Sequence, residues 1–258
     1  MEATPKWLIT FSGLAKWLNQ NLIRSTKKKN LKKRAMARIL VACEESQAIT
    51  KAFRKLGHEA FSCDLLPCSG GHPEWHYQQD VFEVIDKGWD MMIAHPPCTY
   101  LSVAGAWAMY NKDGSINEVR MKNQNDALDF VRRLMDAPIK HIAIENPVSV
   151  ISSQIRKPDQ IVHPYHFGEK ASKSTCLWLK NLPKLKHTNV VEKGEFKEWI
   201  DKKSGKTKRQ ATWIYDCLQQ AKSPEHLRTL RSKTFQGIAD AIAEQWGGFL
   251  NSFSNENV

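Results

Sequence analysis

The sequence predicts an α/β fold, a mostly parallel sheet with helices on both faces, and three observations carry that expectation. From Arg38 onward short apolar runs alternate with helical patterns, the order that gives parallel strands joined by crossover helices. Each run ends in a polar or proline-containing corner, and successive parallel strands bring such corners to one edge of the sheet, where open α/β sheets hold their ligands. A chain of 258 residues, 41% hydrophobic and 25% charged, suits one substantial core with a small appendage.

The elements follow in order. Ile39 to Cys43 reads as a strand, Gln47 to Leu56 as a helix and Glu59 to Cys63 as a second strand. A short third strand ends at Gln79, and the run Trp89, Met91, Met92, Ile93, Ala94 is the fourth. Val119 to Met135 has the spacing of an amphipathic helix, and His141 to Ile144 is a fifth strand. The five corners are Cys43-Glu44-Glu45-Ser46, Cys63-Asp64, Gln79-Asp80-Val81, His95-Pro96-Pro97-Cys98 and Glu145-Asn146-Pro147. Beyond Ser152 the pattern is weaker: strand pieces over Ile161 to Phe167 and Cys176 to Leu179, a solvated loop around Lys202, Lys203, Lys206, Lys208 and Arg209, and a closing helix from Phe235 to Trp246.

The fourth corner is the most informative. Two consecutive prolines fix φ and remove two amide donors, which holds the chain stiff and presents the Cys98 thiol outward. Taken alone, a buried small side chain in a proline turn explains Cys98 as well as a nucleophile does. The balance of 38 basic to 27 acidic residues, net +11, favours a polyanionic partner, with nucleic acid ahead of an acidic membrane surface. Six cysteines without a CxxC pair argue against a zinc site or a disulfide framework and suit a reducing cytoplasm. No apolar run is long enough to span a bilayer. Residues 1–35 mix Trp7, Leu8, Phe11, Leu14 and Trp17 with a later lysine block. That pattern reads as a basic amphipathic helix, a nucleic-acid arm or a surface-membrane segment, or else as an accessory extension ahead of a natural start at Met36.

Pro-Pro-Cys after the fourth strand, followed about fifty residues later by a strand ending Ile-Glu-Asn, with acidic corners after the second and third strands and a Gly-Ile-Ala terminal helix, resembles the DNA (cytosine-5)-methyltransferases, especially small phage-type members. The spacing accommodates one crossover helix between adjacent parallel strands. The resemblance implies a class I, Rossmann-like fold, S-adenosylmethionine as cofactor, DNA as partner (RNA is also possible) and a flipped target base. It implies Cys98 as the thiolate that adds to carbon 6 of cytosine, Glu145 as the acid at nitrogen 3, Asn146 as organiser of the Pro-Cys loop, and Lys173 as a contact to the cytosine carbonyl or a phosphate. For the cofactor it points to Ala42, Cys43, Glu44 and Ser46 for the methionine moiety, Asp64 for the ribose, Asp80 and Val81 for the adenine, Pro97 beside them, and Thr234 near the methionine carboxylate. Helix-start capping explains Glu44 to Ser46 equally well.

The chain departs from the family in two places. Val-Ala-Cys-Glu-Glu-Ser-Gln replaces the glycine-rich first motif, and the glutamine-arginine-x-arginine motif is absent. The expected layout is an extension over residues 1–35, a catalytic and cofactor-binding core over 36–180, a small recognition insert over 181–223 and a completing C-terminal helix over 224–258. An amino-group methyltransferase and a degenerate DNA-binding methyltransferase fold are the rival readings; His95 and Cys98 stand where the former's motif carries an acidic or amide residue and an aromatic.

Overall fold

The structure, a computed structural model, describes residues 36–253, so the predicted N-terminal extension lies outside the described residues. By its contacts the chain divides into residues 1–36 and 37–258, and the fold is that of the second unit. Its strands are β1 (Arg38–Ala42), β2 (Glu59–Asp64), β3 (His76–Gln78), β4 (Met91–Ala94), β5 (His141–Pro147), β6 (Gln160–Val162) and β7 (Thr175–Lys180). They form one sheet in the order β3-β2-β1-β4-β5-β7-β6. The first five run parallel, and β7 is antiparallel to both β5 and β6. The sequence reverses direction across the sheet between β1 and β4, the switch point at which doubly wound sheets open a crevice beyond the strand ends.

The central strands are continuous apolar runs because both faces are covered. Along β1, Ile39 and Val41 join one core cluster and Leu40 and Ala42 the other, and along β4 Met91 and Ile93 part from Met92 and Ala94 in the same way. The first cluster is closed by α1 (Ala48–Lys55) and the C-terminal helix, through Phe53, Ile242 and Trp246. The second is closed by α2 (Glu118–Met135), through Leu128, Val131 and Leu134, and by the short α3 (Ile151–Gln154), through Ile151.

Three sequence-based expectations change. β5 does not stop at Ile144: Glu145, Asn146 and Pro147 pair with Leu177, Cys176 and Thr175 of β7, so that corner is strand. The piece from Ile161 to Phe167 is a strand only to Val162, after which Pro164–His166 forms a 3-10 turn, as a proline inside the run dictates. The basic stretch is not a plain loop either. β8 (Phe196–Ile200) and β9 (Thr207–Ala211) form an antiparallel hairpin that takes in Lys208 and Arg209 and leaves Lys202, Lys203 and Lys206 in its turn. Within the predicted insert, residues 182 and 185 pack on the core instead. The hairpin leads into α4 (Thr212–Gln220) and α5 (Pro224–Ser232), and α6 (Gln236–Phe253) completes the fold. Among the described residues no helix is long and apolar enough to cross a membrane.

Gly237, in the first turn of α6, has a specific job. A Cβ there would lie 2.1 Å from the Phe167 carbonyl oxygen, so only glycine lets the helix start this close to the chain after β6. Gly237→Ala is expected to cost about 1–3 kcal/mol through overpacking, measured as a lower midpoint in denaturant unfolding; an unchanged midpoint would contradict the close approach.

Candidate active site

The parallel register builds the site. Ala94 of β4 pairs with Ile144 of β5, so the residues that follow, His95-Pro96 and Glu145-Asn146, emerge side by side at the carboxyl edge. Two bonds link them, each spanning fifty residues of sequence. His95 Nδ1 lies 2.9 Å from Glu145 Oε2, and the Asn146 amide donates to the Pro96 carbonyl at 2.8 Å. The His95 main-chain N–H donates to the Ala42 carbonyl (2.9 Å), which fastens the same corner to the end of β1. Ahead of this anchored stretch, Cys98 is exposed; its carbonyl accepts from the N–H groups of Leu101 and Ser102 and closes the loop into a tight turn.

Electrostatics separate the thiol from the carboxylate. Desolvation and the nearby Glu145 charge raise the Cys98 thiol above its ordinary value, against the lowering effect of its own backbone and of Lys173 and Arg231. At rest Cys98 is a thiol. Burial on its own raises the Glu145 carboxyl, but the hydrogen bond and charge of His95, with Lys173 adding to them, outweigh burial and hold it below the usual range. Burial lowers His95, and there too the bond and charge of Glu145, with the charge of Glu44, win and raise it. While His95 is protonated the two form an ion pair, with side chains only 13% and 18% exposed. Because each partner favours its charged form, the pair adds stability most fully between the unfolded values of about 4.3 for Glu and 6.5 for His. The contribution fades as pH falls through the depressed Glu145 value or rises through the elevated His95 value.

Beside the loop lies a cavity of about 240 Å³ between the ends of β1 to β4 and α2. Cys43, Asp64, Asp80, Val81 and Pro97 from the predicted set line it together. Asp64 accepts from the Leu66 N–H and Asp80 from the Phe82 N–H, both at 2.9 Å, which fixes each carboxylate while leaving it acceptor capacity for a ligand. Burial raises Asp64, against the Leu66 amide. Burial also raises the thiols of Cys43 and Cys63, the latter to about 12; both are packing groups. Cys43 adopts φ +57° and so makes, with a side chain, the left-handed turn that glycine ordinarily makes. Tyr100 and Phe130, which sequence reasoning did not single out, supply aromatic wall; Phe130 was hidden because its helix shows one apolar stripe that serves core and cavity alike.

The remaining predicted residues stand elsewhere. Ala42 is fully buried. The Glu44 carboxylate is buried and accepts from the Ile49 N–H (2.7 Å) and the Thr50 hydroxyl (2.7 Å) at the start of α1. Ser46 and Thr234 do not line the cavity. Lys173 donates to the carbonyls of Arg231 (3.1 Å) and Lys233 (3.4 Å), between the rings of Trp213 and Phe235; its charge nonetheless reaches Glu145 and Cys98.

No protein-family profile matches the sequence, and no curated protein matches it significantly. The chemistry must be read from the site. A raised thiol in an exposed turn reacts slowly at neutrality. Among the described cysteines, native alkylation by iodoacetamide is expected to modify Cys98 ahead of buried Cys63 and Cys176, slowly at pH 7 and with a steep rise above pH 9, followed by mass spectrometry of peptides. A rate that levels off below pH 8 would contradict the environment described.

Proposed function

We propose that this protein is an S-adenosylmethionine-dependent DNA cytosine-5 methyltransferase. The observation that carries the reading is one of adjacency: the cavity holding Asp64 and Asp80 shares its Pro96-Pro97 wall with the turn that presents Cys98, and that turn is tied by two bonds to Glu145 and Asn146. The cavity's residues fit the nucleoside end of the cofactor. Two carboxylates supply acceptors for ribose hydroxyls and an adenine amino group, while Val81, Tyr100 and Phe130 supply apolar wall. At about 240 Å³ it lies below the roughly 300–1,000 Å³ of whole small-molecule pockets, which suits part of the cofactor. When bound, S-adenosylmethionine supplies an electrophilic methyl group.

The protein's part is to make carbon 5 of cytosine nucleophilic. Cys98, in its exposed turn, gives its proton to water and its sulfur bonds to carbon 6; the ring's 5,6 double-bond electrons shift to carbon 5, and Glu145 meets the charge that gathers at nitrogen 3. Carbon 5 then takes the methyl group and gives its own proton to water; the electrons of that C–H bond re-form the ring double bond as the sulfur leaves with the C–S pair. Asn146 keeps the thiol turn in place through Pro96. The loop beyond Cys98 carries an 81%-exposed Trp107 with exposed Val103 and Tyr110, apolar and aromatic surface of the kind that stacks against or wedges between bases. The hairpin's Lys202, Lys203 and Lys206 suit phosphate contacts.

Duplex DNA containing 5-fluorocytosine tests the reading, because fluorine at carbon 5 blocks release of the sulfur. A denaturation-resistant protein–DNA adduct that forms only with S-adenosylmethionine is expected. Cofactor binding without an adduct would move the chemistry away from carbon 5, and an absence of cofactor binding would remove the methyltransferase reading altogether.

A further inference from the structure

We propose that His95 is a positioning residue for Glu145, one that holds the carboxylate toward the target ring and supplies the proton it passes to nitrogen 3. The proposal rests on the cytosine-5 reading and adds to it a residue with its own role. His95 is the first residue after β4, and the Ala94–Ile144 register sets it against Glu145 regardless of what the loops do. Its Nδ1 bonds one carboxylate oxygen at 2.9 Å, which leaves the other oxygen to face a substrate. Its Nε2 is buried and has no hydrogen-bond partner among the described residues.

The surrounding charges suit a proton held in reserve. Glu145 from β5 and Glu44 from the corner after β1 favour the imidazolium, and Lys173, ahead of β7, opposes it. Glu145 in turn faces His95 and Lys173, with the Cys98 thiol within reach of its charge. In the proposed step the Nδ1–H proton moves onto the Glu145 carboxylate, and the carboxylic acid so formed, turning about its Cγ–Cδ bond, gives that proton to nitrogen 3 as the sulfur adds, so the imidazolium becomes neutral while the carboxylate is charged before and after. When the sulfur leaves, nitrogen 3 returns its proton by the same route. No proton is gained or lost by the pair over a turnover.

The test has two parts. On the free protein, NMR titration of the His95 ring in wild type and Glu145→Gln is expected to show an apparent pKa above the ordinary histidine value in wild type and a lower one in the variant; equal values overturn the coupling. On the working enzyme, single-turnover methyl transfer against pH is compared for wild type, His95→Gln and His95→Ala. Glutamine can donate to Glu145 but carries no transferable proton, so His95→Gln is expected to stay folded and keep its DNA affinity, to lose 10²-fold or more in kcat, and to lose the decline in rate that accompanies deprotonation of the pair. A His95→Gln variant with wild-type kcat and pH profile, whatever happens to His95→Ala, makes the contact purely structural and overturns the proposal alone. Wild-type protein that binds DNA but transfers no methyl group overturns the cytosine-5 reading and this role with it.

Discussion

Cys98→Ser is expected to lose methyl transfer by on the order of 10⁴-fold or more, with cofactor affinity and stability nearly unchanged. A serine hydroxyl is far less acidic than a thiol and a much poorer nucleophile toward carbon 6, and nothing else in the exposed turn could replace the sulfur. The turn itself should survive, because its closure uses the Cys98 carbonyl, which accepts from Leu101 and Ser102, and not the side chain. An exposed substitution of this kind shifts folding by about 0.5 kcal/mol or less. The informative comparison is therefore single-turnover rate against calorimetric cofactor affinity in the same preparation. A variant that still methylates at a tenth of the wild-type rate would exclude a covalent role for this cysteine.

The second large effect belongs to the cavity. Asp64→Ala and Asp80→Ala are each expected to weaken S-adenosylmethionine binding by about 10–100-fold, since a hydrogen bond to a charged group is worth about 1.5–3 kcal/mol and about 1.4 kcal/mol is tenfold. Asp80 also caps the 3-10 turn Val81–Glu83 through the Phe82 N–H, so loss of the carboxylate could act through the turn. Asp80→Asn separates the two effects: asparagine caps equally well but lacks the charge. If it binds the cofactor as weakly as Asp80→Ala, the charge matters directly; if it binds like wild type, an uncharged acceptor is sufficient. Wild-type affinity in both alanine variants would remove the two residues from the cofactor site. Isothermal titration calorimetry reads all of these.

Much of the frame was legible because its signals are local. β1 and β4 carry the longest apolar runs, and Asp64 at the end of β2, Asp80 after β3 and Cys98 after β4 stand at the strand ends that the sheet then gathers. What escaped the sequence depends on partners far along the chain. Glu145-Asn146-Pro147 ends in a proline and looks like a turn, yet it is strand because β7 pairs with it. Thr207–Ala211 contains Lys208, Arg209 and Gln210 and no apolar alternation, so its pairing with β8, with ion pairs such as Arg209–Glu198, left no hydrophobic trace. Glu44 could serve a ligand or a helix start, and only the fold shows its carboxylate accepting from Ile49 and Thr50. The His95–Glu145 contact follows from strand register, which no local pattern encodes.

That register also bears on how such a chain can change over time. The two bonds that assemble the site join residues fifty positions apart, but their alignment is set by the pairing of Ala94 with Ile144 and not by the length of the segment between them. Insertions and deletions within residues 111–115, beyond the turn that Leu101 and Ser102 close and the 3-10 helix Val103–Met109, should be absorbed as loop, at a cost that grows only slowly with length. A single residue added inside β4 or β5 is different: it turns every following side chain to the opposite face and separates both pairs at once. Lineages of this protein should therefore vary freely in the length of that loop while holding the two short strands to a fixed count.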